Sequence, residues 1–133
     1  MDPKYRARLK RRGFTEQDVE LSDFAQKTQI KEAKQLGLHL RHGHPTVNEV
    51  KRAYSKRAVP IALVHMGVVH NFDIPHWVVV TGVDDSAVTF HDPYPPKGRR
   101  NLKLSYEKFQ QIIDDIGRKM TLAPSLLIVD KGN

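Results

Sequence analysis

Three features of the sequence predict an α+β fold, with a mostly antiparallel sheet flanked by helices. Two stretches rich in β-branched and aromatic residues, 77–83 and 87–91, flank Asp84-Asp85-Ser86 and read as a hairpin. A third stretch, 59–66 (VPIALVHM), carries apolar residues on both faces, as a strand inside a sheet does. Helical signals crowd the chain before residue 58 and return only at 105–117, so helices and strands are segregated rather than alternating.

Taken in order, residues 4–12 read as a short helix that Gly13 stops. Thr15 and Ser22 are both N-cap candidates, and from Ser22 a helix can run to Leu36, where Gly37 ends it. Its apolar stripe (Phe24, Ala25, Ile30, Ala33, Leu36) is imperfect, which predicts a half-exposed surface helix. Thr46 and Glu49 make a capping box, each side chain satisfying an orphan backbone donor, and Val47, Val50 and Tyr54 then mark one helix face. In the strand at 59–66, Pro60 belongs near the start, where no ladder donor is needed. Residues 67–75 read as a loop, and the prolines and glycine of 92–98 (DPYPPKG) exclude regular structure. A short strand follows at 101–104. Ser105 then caps a helix whose Tyr106, Phe109, Ile112, Ile113 and Ile116 form the clearest amphipathic face in the chain, and Gly117 is expected to end it. Residues 125–129 close the sheet as a last strand.

The hairpin register bears on chemistry. A three-residue turn at Asp84-Asp85-Ser86 makes Val83 face Ala87, which sets Tyr94 opposite His76 and Asp92 diagonal to it on the same face. Diagonal neighbours lie roughly 7–8 Å apart at the backbone, within reach of an imidazole and a carboxylate. A slip of one residue would carry Asp92 to the other face. Val78, Val80, Val88 and Phe90 would lie below the pair. A histidine held by an aspartate is the base and the orienting group of a nucleophilic triad. The plain alternative is a histidine at a strand start beside an Asp-Pro turn.

Composition narrows the function classes. At 133 residues, 39% hydrophobic and 28% charged, the chain makes one ordinary domain with a sizeable core. No apolar run approaches the ~20 residues of a membrane helix, and the basic N-terminus lacks the apolar core of a signal peptide. A cytoplasmic location is the expectation. There is no cysteine, which excludes disulfides, thiolate metal sites and a cysteine nucleophile within this chain. The net charge of +7 is concentrated in residues 1–12, which hold six basic groups and one acid. Such an arm could neutralise phosphates, but a solvated helix face is the favoured reading, so nucleic acid is the disfavoured partner. His39, His42 and His44 lack a fourth ligand and read as loop histidines, so no metal and no cofactor is expected. His65 is expected at a strand end, His70 in solvent, and His91 on the face opposite Asp92 as a hydrogen-bonded structural residue.

The stretch HWVVVTGVDDSAVTFHDPY, with the preceding "LG" pair, T-x-x-E helix and apolar strand, resembles the stand-alone C39-like peptidases, a papain-fold group of cysteine peptidases. The resemblance runs from roughly Ser22 to Val129. It implies peptide-bond hydrolysis on a peptide or protein substrate, with His76 as the catalytic base and Asp92 as its orienting residue. The family's nucleophile, a cysteine opening an N-terminal helix behind a glutamine, has no counterpart in this sequence. Ser22 is no substitute, because it corresponds to a later helix and reads as a cap. The expectation is therefore a basic arm at 1–14 followed by a truncated C39-like domain at 15–133, a pseudoenzyme without peptidase activity alone. A non-catalytic peptide- or protein-binding module is the alternative. A missing N-terminal segment or a second chain is a further expected partner.

Overall fold

Helix-starting and helix-stopping residues set the first half of the chain, and the computed structural model describes residues 1–70, 74–93, 99–120 and 122–130, with backbone only at His70 and Arg99. The chain divides into two compact units, Met1–Gly43 and His44–Asn133. In the first, Asp2 caps α1 (Pro3–Arg11) by accepting from the Lys4 amide at 2.7 Å, and Pro3 occupies the first turn, where a missing N–H costs nothing. α2 (Glu16–Gln35) starts at Thr15, not at Ser22: Thr15 and Asp18 form a capping box, and Ser22 lies inside the helix. Gly37, at φ +74°, ends α2 in a Schellman turn, with the Leu38 amide donating to the Ala33 carbonyl at 2.9 Å. Arg6 and Lys10 of α1 both pair with Glu16, and the N-terminal ammonium lies 2.8 Å from Asp23, so part of the arm's charge is matched within this unit. Leu9 and Val19 are its buried hydrophobic residues; α2 is otherwise largely exposed.

The second unit holds the sheet. α3 (Val47–Ser55) carries the expected Thr46–Glu49 capping box and leads into β1 (Val59–His65), a short helix α4 (Gly67–His70), β2 (Pro75–Val83), β3 (Ala87–Asp92) and β4 (Arg99–Ser105). α5 (Tyr106–Lys119) and β5 (Leu126–Val129) complete it. The strands lie in the order β4-β3-β2-β1-β5 with every neighbouring pair antiparallel, so the fold is α+β as the segregated pattern predicts. β1 lies between two partners, as its two apolar faces require. Helices α3 and α5 pack on one sheet face, where Val50, Phe109, Ile112 and Ile113 meet Ala62, Val64, Val78 and Phe90. The Phe90 and Phe109 rings sit 5.4 Å apart in a tilted pair, a geometry that adds to the area they bury.

Four further expectations are corrected. Residues 67–70 form α4 rather than loop. The strand expected at 101–104 extends to Arg99–Ser105. Gly117 does not end α5, which continues to Lys119; glycine costs a helix only about 1 kcal/mol, and Arg118 and Lys119 both reach back to Asp115, at 3.0 and 3.4 Å. Val83 pairs with Val88 rather than Ala87. Asp84 causes this last change: its carboxylate accepts from the Ser86 and Ala87 amides (2.9 and 2.8 Å), and its own N–H donates to the Ala87 carbonyl, drawing Ala87 into the turn. A bulge between Val80 and Gly82 then restores the expected register, with Val80 opposite Phe90 and Val79 opposite His91. The segment 94–98, including Tyr94, lies outside the described residues.

Candidate active site

The restored register decides where His76 goes. Val64 of β1 stands directly opposite it, which places His76 on the helix-covered face of the sheet, above Val78 and Val80. On β3, Phe90 and Asp92 lie on that same face, both buried. The result is a hydrogen bond of 3.1 Å between His76 Nδ1 and Asp92 Oδ1, with side-chain exposures of only 6% and 0%. A carboxylate can only accept, so Nδ1 carries the proton, and Nε2 is the nitrogen left to act as a base in the neutral ring. Burial matters here, because screening by water that weakens surface pairs is largely absent. The pair has the form of a general base with its orienting group: the carboxylate fixes the tautomer and ring direction and stabilises an imidazolium when Nε2 takes a proton.

The other histidines serve different ends. His65, fully buried on the opposite sheet face from His76, accepts at Nδ1 from the Gly67 amide at 3.3 Å, tying the strand end to α4. His91 faces away from Asp92 and accepts at Nδ1 from the Asn101 amide at 3.1 Å, the structural role its strand position suggests. The side chain of His70 lies outside the described residues. His39 and His42 are exposed. His44 lies in a loop, as the sequence suggests, and that loop is anchored. Its Nε2 lies 2.6 Å from Asp114 Oδ1, and Gln110 donates to the same oxygen at 2.8 Å and to the Pro45 carbonyl at 3.1 Å while accepting from the Val47 amide. This network straps the entry of α3 onto α5. Burial alone would raise the Asp114 pKa, but the bonds from His44 and Gln110 outweigh it and hold the carboxyl below its ordinary value. Seventy positions separate His44 from Asp114, so no local spacing in the sequence marks this pair.

Among the described residues, no group of three or more His, Asp or Glu is placed to hold a metal ion. No helix among them is long and apolar enough to cross a membrane. The structure brings the candidate residues His76 and Asp92 together at the open end of the hairpin, an arrangement suited to acid–base chemistry at the imidazole.

Compared with known proteins, the chain has no match among curated proteins or solved structures. The family model described as the Peptidase_C39-like family matches residues 11–116, a span that holds both members of the His–Asp pair and most of the sheet beneath them. By a match over most of its length, the chain belongs to the Peptidase_C39-like family.

Proposed function

We propose that this chain supplies the base and orienting residue of a papain-type, C39-like peptidase site without supplying its nucleophile. The observation that carries this reading is the buried His76–Asp92 hydrogen bond at 3.1 Å. In such a site a thiolate attacks the scissile carbonyl carbon, and the imidazolium passes its Nε2 proton to the departing amine. Water, deprotonated by the same nitrogen, then cleaves the thioester and regenerates the thiol. His76 fits the proton transfers, and Asp92 fits the task of holding its Nδ1–H. No cysteine in the sequence can form the thiolate. Loss of a nucleophile leaves only positioning effects, several orders of magnitude below the intact rate. On this reading the chain alone engages a peptide or protein and does not cut it.

The test is peptide hydrolysis by the purified chain with and without a thiol reductant. No turnover above buffer is expected in either condition. Turnover that survives repurification and disappears in His76→Ala would overturn the proposal, since it would require a nucleophile within this chain.

A further inference from the structure

The two edges of the sheet differ in a way that bears on association. An edge strand presents unpaired N–H and C=O groups, and proteins guard such edges with charges. The β4 edge carries Arg99, Arg100 and Lys103. The β5 edge, Leu126–Val129, carries no charged residue, and Leu127, Ile128 and Val129 are 51%, 47% and 52% exposed. On the sheet face away from α3 and α5, Leu127 and Val129 lie beside Ile61 and Val59, with Trp77 further along and also exposed, so the apolar surface continues inward from the edge.

Backbone parity shows what this edge can bind. The Leu63 amide donates to the Ser125 carbonyl at 3.0 Å. Hydrogen-bonded pairs alternate along an antiparallel ladder, so Leu127 and Val129 also turn their backbone groups toward β1. Those of Leu126 and Ile128 point to the free edge. Pro60 opposite Ile128 fits this parity, because that position gives no donor to β5. Two copies of β5 run antiparallel about a two-fold axis perpendicular to the sheet match these groups to each other. Leu126 of one copy exchanges both bonds with Ile128 of the other, and the symmetric pair doubles the exchange. Leu127 then faces Leu127 of the second copy across the axis. Charge favours this arrangement over its rivals: β4 against β4 brings like charges together, and β4 against β5 leaves an open edge at each end and builds filaments.

We propose that β5 is a self-association edge, pairing with β5 of a second copy in the register Leu126 to Ile128 and extending the sheet to ten strands. A four-residue seam is small beside the ~1,200 Å² or more of standard interfaces. The dimer is therefore weak and concentration-dependent, and a trap reads it better than a mass alone.

The full chain has no cysteine, so a single introduced thiol reports its own neighbour. Facing residues in a non-hydrogen-bonded antiparallel pair lie about 4.5 Å apart at Cα, within the range a disulfide spans. Leu127→Cys, oxidised with copper-phenanthroline in air, should give a covalent dimer on a non-reducing gel, at a rate at least tenfold above Ser22→Cys, an exposed position on α2. Ile128→Pro removes an outward N–H and should leave a monomer by sedimentation at concentrations where the parent chain associates, with unchanged far-ultraviolet circular dichroism. Equal cross-linking of the two cysteine variants would overturn the proposal. So would a parent chain that stays monomeric up to about 1 mM, or association that persists unchanged in Ile128→Pro.

Discussion

Removing the carboxylate of Asp92 strands the imidazole of His76 where water scarcely reaches. The Nδ1–H then loses its acceptor inside the fold, and an unsatisfied buried donor costs about 1–3 kcal/mol. Asp92→Ala should lose stability in that range by urea unfolding. Asp92→Asn keeps an amide oxygen that can accept the same hydrogen bond, so its loss should be the smaller of the two. Equal stability of both variants and the parent would mean that the 3.1 Å contact contributes nothing to the folded state. Residue by residue, the other polar contacts near the hairpin are of a different kind. His91 and His65 each accept at Nδ1 from a backbone amide, contacts that position loops.

The hairpin turn shows how one side chain governs a whole element. Asp84 holds the turn by accepting from two amides and pairing with Lys103 at 2.7 Å, while the Tyr106 amide at the start of α5 donates to the Ser86 carbonyl. The Lys103 contact first, and the two amides after it, pull the Asp84 carboxyl down to about 2. Its folded-state value thus lies below the unfolded value of about 3.9. The stabilisation is fully present above that unfolded value and is lost as pH falls toward about 2. Thermal unfolding followed from pH 5 to pH 2 should show a steeper decline for the parent than for Asp84→Asn, and the two curves should converge at the acid end. Parallel curves would remove the carboxylate from the account of the turn. Two residues before Asp84, Gly82 borders the bulge. A Cβ there would stand 3.3 Å from the Thr89 Cβ, tighter than neighbouring side chains accept without shifting.

Across the whole molecule, burial is uneven. The unit Met1–Gly43 buries Leu9 and Val19, whereas the clustered core belongs to the sheet and to α3 and α5. Regions with few buried apolar contacts open at lower free energy than the core. Amides of α2 should therefore exchange with deuterium at least ~100-fold faster than those of β1, through local opening that leaves the sheet intact. Equal protection of Glu16–Gln35 and Val59–His65 would show that the two units unfold as one.

The sequence by itself determined what neighbouring residues can settle. The Thr46–Glu49 box, the Ser105 cap and the Gly37 stop each act within one turn of helix, so they are legible without tertiary knowledge. The same is true of the strand at β1 and of the existence, though not the turn length, of the hairpin around Asp84. The choice of Thr15 over Ser22 was also local, and Asp18, three residues after Thr15, was the signal that marks it. The strap from His44 to Asp114 was not legible, because only folding brings α5 beside the entry to α3. The placing of His76 and Asp92 on one face came from the sequence through a turn one residue shorter than the real one. With Val83 opposite Val88, an unbroken ladder would set Asp92 against Val79 and turn His76 to the outer face. The bulge between Val80 and Gly82 reverses that outcome. It delivers Val78 and Val80 to the helices while Trp77 stays exposed outside. Only the packing of α3 and α5 against the sheet decides which half of β2 faces inward, because both registers satisfy the backbone and only one buries the valines.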